Sequence, residues 1–224
     1  MRIFIYFICL SFFLSCSAFR EIEQKDSIGR VVKMAYYDGS QLEHLEEIEY
    51  VGNTYNPDRI TFYKMDDYEL FPFKYEVYAY NEKNITSISV LTYENEKKTK
   101  TGYINFTYTD SGAINSIEYH TYSSRAGLYL IGLDQHTYDD KGLAFRRIIK
   151  YQLNSKTGGT MQKAQYQVFY CNKNPCNMKY GIIDRESNTI VEKKERDPEV
   201  INEKIKSLEK FFLIETIGRE NIIK

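Results

Sequence analysis

The acids, histidines and cysteines could do chemistry in this chain, and their spacing limits what that chemistry is. Acid pairs stand at Asp66-Asp67 and Asp139-Asp140. Paired carboxylates can hold calcium or share a proton. The second pair, however, lies inside a turn phrase, where Asp is explained by hydrogen bonding to its own backbone. His44, His120 and His136 are far apart, and none stands at the paired spacing a zinc site needs. His120 and His136 fall in predicted strands, where each reads as a polar residue on a sheet face. The chain has no Gly-x-Ser-x-Gly elbow, Walker loop, dinucleotide fingerprint or His-Glu-x-x-His. The expectation is a non-catalytic protein without metal or cofactor.

Four cysteines remain to be placed, at positions 9, 16, 171 and 176. Cys171-Asn-Lys-Asn-Pro-Cys176 brackets a turn-forming tetrapeptide, and in an oxidising compartment a local disulfide across a hairpin is its natural reading. Free thiols are the alternative. Zinc comes last, because no second cysteine pair exists to complete its ligands.

The front of the chain addresses the compartment. Arg2 is followed by the apolar run IFIYFICLSFFL from Ile3 to Leu14, then Ser15 and Cys16. A short basic start, an apolar core of about 7 to 15 residues and a small residue at the cut form a secretory signal. This run of twelve residues falls short of the roughly 20 that span a bilayer as a helix. The segment Phe13-Leu14-Ser15-Cys16 resembles the lipobox of bacterial lipoproteins, in the looser form typical of spirochaetes. Those families usually place Leu three residues before the cysteine, where this chain has Phe13. The resemblance implies cleavage before Cys16 and a diacylglycerol on its thiol. Each buried methylene then contributes about 0.8 kcal/mol, so two or three acyl chains hold a domain on a membrane. It implies a bacterial envelope location, with the outer membrane favoured because Ser17 rather than Asp follows Cys16.

Loss of residues 1–15 leaves 209 of 224 residues and moves the formal charge from −1 to −2 through Arg2. That length suits one generous domain or two small ones. A balanced charge attracts no polyanion, and the basic run Lys97-Lys98-Thr99-Lys100 reads as a solvated loop tip, so no nucleic-acid partner is expected. Twenty-one Tyr with no Trp suit pleated, half-wet sheet surfaces, where the ring packs and the hydroxyl stays hydrated.

One phrase recurs along the chain: Tyr, then Asp, Asn or Thr, then a turn, then apolar alternation. It occurs at Tyr37-Asp38-Gly39, Tyr55-Asn56-Pro57, Tyr80-Asn81-Glu82, Tyr108-Thr109-Asp110-Ser111-Gly112, Tyr138-Asp139-Asp140-Lys141-Gly142 and Tyr170-Cys171-Asn172. Successive tyrosines are 18, 25, 28, 30 and 32 residues apart. Asp or Asn after a strand bonds its own backbone, and Gly or Asn beyond it tolerates the left-handed conformation that closes a hairpin. The flanks alternate: Ile104, Phe106 and Tyr108 against Tyr103, Asn105 and Thr107, then Ile117 and Tyr119 against Glu118 and His120. This phrase resembles the YD repeat of Rhs-type and teneurin-type β-shells over residues 35–180. That resemblance implies consecutive hairpins and carries no functional residue.

At the other end, Asp197-Pro198-Glu199 combines an N-cap, a proline at the first helical position and an acid in the first turn. Ile201, Ile205, Leu208 and Phe212 form one apolar stripe, and Gly218 is a stop. The expected architecture is mainly β: an antiparallel meander of ten to twelve strands forming a curled sheet or open barrel, with one C-terminal α-helix packed on it. The expected organisation is a signal peptide over 1–15, a lipid-anchor tether over 16–30, the β domain over 31–195 and the helix over 196–224.

Two functions fit. One is an envelope lipoprotein that binds a protein or envelope component through its sheet. The other is a periplasmic carrier or chaperone for lipids or outer-membrane proteins, with an apolar cavity. A contiguous apolar concave face discriminates for the carrier, and polar groups on half the strand positions favour the binding module.

Overall fold

Alternation of apolar and polar residues dictates strands along nearly the whole chain, and the computed structural model shows them. It describes residues 19–82, 84–94, 97–154, 157–183 and 190–218. Among the described residues, thirteen antiparallel strands follow one another in sequence order, with the first and last at the two ends of that order. The sheet is therefore open, and it holds more strands than the ten to twelve expected. One reason is that β1 (Phe19–Lys25) falls within the 16–30 segment.

Two compact units divide at residues 74 and 75, inside a strand rather than at a linker. The first contains β1, β2 (Val31–Asp38), β3 (Gln41–Tyr50) and β4 (Pro57–Asp66). Ile60 and Phe62 are buried in it. Arg30 ties its loops together, donating to Asp26 Oδ2 at 2.7 Å, Gly52 O at 2.9 Å and Thr54 O at 2.6 Å. Strand β5 (Glu69–Asn81) carries the division.

The second unit continues with β6 (Asn84–Glu94), β7 (Lys97–Tyr108), β8 (Ile114–Ser123) and β9 (Gly127–Asp139). It is completed by β10 (Gly142–Leu153), β11 (Thr160–Cys171), β12 (Asn174–Ile183), β13 (Ile190–Glu195) and the helix α1 (Pro198–Ile217). The period of two decides the faces. Ile88 pairs with Ile104, Ile104 with Tyr119 and Phe106 with Ile117, so these residues share one face, and all of them are buried.

That face is covered by α1. Asp197 Oδ1 accepts from Glu199 N at 2.9 Å, Pro198 opens the first turn, and Gly218 closes the helix at φ 72° with its N–H on Ile214 O. The stripe of Ile201, Ile205, Leu208 and Phe212 is buried, extended by Leu213, Thr216 and Ile217. Each such apolar side chain contributes about 1.5–3 kcal/mol when fully buried.

Two glycines let helix and sheet approach closely. A Cβ on Gly132 would stand 2.5 Å from the Phe212 ring, and one on Gly102 would stand 1.9 Å from the Thr216 carbonyl oxygen. The second obstacle is backbone, which no rotamer change relieves. Gly102→Ala is therefore expected to destabilise the second unit by about 1–3 kcal/mol or more, as overpacking does. Urea unfolding followed by circular dichroism measures it, and an unchanged midpoint would contradict the close approach of α1 to β7.

Candidate functional site

The residues singled out from the sequence do not converge. Cys16 and the signal segment lie outside the described residues. Cys171 and Cys176 are bridged across the β11–β12 turn, with Sγ atoms 2.02 Å and Cα atoms 5.7 Å apart. Asp139 Oδ1 accepts from Lys141 N at 2.8 Å, which is turn chemistry. Asp67 sits at φ 45° in the β4–β5 turn. His44 stacks on Tyr36 with centroids 4.0 Å apart. His120 lies near Tyr103 on the face away from α1, and burial lowers its pKa. The basic run is not a loop tip: it begins β7, where Lys100 Nζ stands 3.8 Å from the centre of the Tyr103 ring. Among the described residues no group of three His, Cys, Asp or Glu side chains could hold a metal ion.

His136 has a partner that its sequence did not reveal. Its Nε2 lies 3.2 Å from Asp134 Oδ1, off the axis of a good hydrogen bond, and its Nδ1 lies 3.4 Å from the Tyr138 hydroxyl. Asp134 is 1% exposed and accepts from Arg146 through both oxygens, with Nε at 2.8 Å and 3.0 Å and Nη2 as a further donor. The same Nη2 donates to Glu209 of α1 at 2.6 Å. Strands β9 and β10 thus present a buried carboxylate–guanidinium pair whose free edge grips the helix. Burial by itself raises the Asp134 carboxyl. The Arg146 guanidinium and the His136 ring outweigh it and hold the group below the ordinary carboxylate range. Burial also acts against the Arg146 charge, and the two carboxylates reverse it, so that guanidinium stays protonated. Burial raises the neighbouring Tyr119 hydroxyl, whose ring stacks on Phe212 with centroids 4.9 Å apart. Both ring nitrogens of His136 face groups of this cluster, an arrangement that holds charge in place.

The opposite face of the second unit carries rows rich in polar side chains over β9–β13. Lys204 Nζ donates to Tyr180 at 2.9 Å, which puts Tyr180 on the helix side and its neighbours Lys179 and Gly181 on the other. Register then lines up Gln135, Arg147, Gln167, Lys179 and Lys194 across five strands. A parallel row runs through Leu133, Ile149, Gln165, Gly181 and Glu192. Gln165 Oε1 accepts from Arg147 Nη2 at 3.2 Å and from Gln162 Nε2 at 3.4 Å. Over β11–β13 the rows line an open depression of about 530 Å³, walled by Gln165, Gln167, Lys179, Glu192 and Lys194. Tyr180 and Gly181 also line it, and the donors and acceptors of the other side chains can bind polar ligands there.

No protein-family model matches the chain, and no curated protein sequence does. Solved structures are similar to it in part. A DUF3836 family protein from Bacteroides vulgatus is 16% identical over 40% of this chain and 89% of its own, with a TM-score of 0.30. A protein of unknown function from Bacteroides fragilis is 12% identical over 68% of this chain and 92% of its own, with a TM-score of 0.29. A weak resemblance extends to the TcdB2-TccC3 structure, at 9% identity over 80% of this chain and 10% of that one, with a TM-score of 0.44.

Asp134, Arg146 and Glu209 escaped the sequence reading. Asp134 and Arg146 stand in strands among ordinary polar residues, and their pairing depends on register. Breaking a buried pair from one side leaves a charge uncompensated, so Arg146→Met is expected to cost about 3–5 kcal/mol at neutral pH. In the native protein the stability contributed by Asp134 is present above the ordinary Asp value of 3.8 and lost as pH falls through its lowered value. In the variant the stranded carboxyl titrates upward instead. Denaturant unfolding across pH should therefore show the gap narrowing on acidification; a constant gap would contradict the pairing.

Proposed function

We propose that this protein is a non-catalytic binding module of the bacterial cell envelope, exported by its N-terminal signal, lipid-anchored through Cys16 and facing its partner with the sheet face opposite α1. The observation that carries this reading is the asymmetry of the second unit. One face is filled by α1 down to glycine-backed contacts at Gly102 and Gly132. The other presents the amide and charged rows across β9–β13. Binding surfaces combine such polar groups with neighbouring aromatics. Here Phe145 and Phe169 supply the aromatics, with ring centroids 5.2 Å apart.

The carrier reading has less support. An acyl chain needs an apolar cavity, and the space between α1 and the strands is occupied by Phe212, Ile201, Ile205 and Leu213. The open depression on the other face is walled mostly by glutamines, lysines and a glutamate, with Tyr180 and Gly181 beside them, and it encloses no apolar cavity. No helix among the described residues is long and apolar enough to cross a membrane, so membrane attachment in this reading rests on the acyl chains at Cys16.

Expression in a lipoprotein-processing host, followed by intact mass and membrane partitioning, tests the anchor. The expected product begins at Cys16 with a diacyl or triacyl mass and fractionates with membranes. Cys16→Ser should lose both properties. A soluble wild-type chain cut elsewhere would overturn the anchored module.

A further inference from the structure

We propose that the depression over β11–β13 is a binding site for an acidic oligosaccharide, a chain of sugars bearing carboxylates. This deepens the binding-module reading and rests on it. Charge is the first argument. Lys179 and Lys194 face each other across β12 and β13, with Arg147 two strands further along the same row, against the single carboxylate of Glu192 in the adjoining row. Strand spacing of about 4.8 Å puts Arg147 and Lys194 roughly 14 Å apart, so the row offers cations repeatedly along a linear anionic chain.

The second argument is the amides. Gln162, Gln165 and Gln167 stand together on this face, and a glutamine amide carries two donors and an acceptor. Adjacent sugar hydroxyls, which both donate and accept, match such groups. Gln167, Lys179 and Lys194 make no side-chain hydrogen bond or ion pair with another described residue, so their hydrogen-bonding capacity is open to a ligand.

The third argument separates sugar from peptide. Extended peptides are commonly held by adding a strand to a free sheet edge, where main-chain groups are unpaired. The depression lies on the face of β11–β13, where the β11–β12 and β12–β13 ladders engage the backbone, and the unpaired outer edge of β13 lies beside it rather than within it. Recognition there passes through side chains, which suits a chain of hydroxyls and carboxylates.

The test is calorimetric titration of the mature full-length protein with hexagalacturonate, its fully methyl-esterified counterpart and hexaglutamate. Binding of hexagalacturonate is expected, at least tenfold weaker for the esterified sugar and weakened by added salt. The double substitution Lys179→Gln and Lys194→Gln, at exposed positions, should weaken it at least tenfold with an unchanged circular dichroism spectrum. Lys179→Arg with Lys194→Arg should retain it. The proposal is overturned by no binding, by equal binding of the ester, by an unaffected double variant, or by hexaglutamate binding more tightly. These outcomes do not depend on the anchor. Failure here with Cys16-dependent membrane association removes the sugar and leaves the envelope module. Sugar binding by a soluble chain cut elsewhere does the reverse.

Discussion

A meander satisfies each strand through its neighbours in sequence, so the ladders alone leave one whole face of the second unit bare. Helix α1 meets that constraint. Lys204 reaches Tyr180 on β12, Glu209 reaches Arg146 on β10, Phe212 fills the space over Gly132 on β9, and Thr216 lies on Gly102 of β7. A helix of 20 residues is about 30 Å long. Crossing from β12 to β7 covers five strand spacings, roughly 24 Å. Length and span agree, and the small residues Gly132 and Gly102 stand where the helix comes nearest. The Asp134–Arg146–Glu209 link then fixes the middle of the helix, where a buried guanidinium leaves little freedom to slide.

The tyrosine phrase has a physical meaning that only the strand register exposes. In the second unit it marks the β5–β6, β7–β8, β9–β10 and β11–β12 turns. Alternate turns of a meander lie at the same end of the strands, so these four share one end. At two of them the tyrosine hydroxyl donates back across the sheet: Tyr108 to Ile85 O at 2.6 Å and Tyr138 to Ile114 O at 2.9 Å. Each bond joins the end of one strand to the start of the strand before it, where a carbonyl meets solvent. Tyr50 makes the equivalent bond to Val31 O at 2.8 Å in the first unit. Tyrosine suits this place because its ring spans the distance on apolar contact while its hydroxyl makes the bond.

The fold was legible because local chemistry dictates it. Asp197, Pro198 and Gly218 bound the helix, and positions such as Gly112 and Asn172 at positive φ close hairpins. Tyr55 was the exception: it sits inside the β3–β4 loop, before a strand that begins at Pro57. The ion network was not legible, because Arg146 pairs with Asp134 on the strand before it and with Glu209 on a helix more than 60 residues on. Nor could the sequence distinguish the helix-covered face from the bare one, since both alternate with the same period. Buried Tyr119 and half-buried His120 are consecutive residues on opposite faces.

A wide bare face on an open sheet invites association, and the composition of this one counters that. Ile149 is 3% exposed, yet its row continues through Gln165 to Glu192, and the row beside it carries Arg147, Lys179 and Lys194. Apolar groups on this face, Ile149 and the Phe145–Phe169 pair, are thereby separated by a row of groups that prefer water. The terminal strands follow the same logic. β1 reads FREIEQK and β13 reads IVEKKE, and charged side chains on an edge oppose pairing with another chain. Surfaces that resist nonspecific apolar stacking while holding unsatisfied donors select for ligands that bring acceptors. The same polar rows that oppose apolar stacking are thus the ones that the proposed ligand would use.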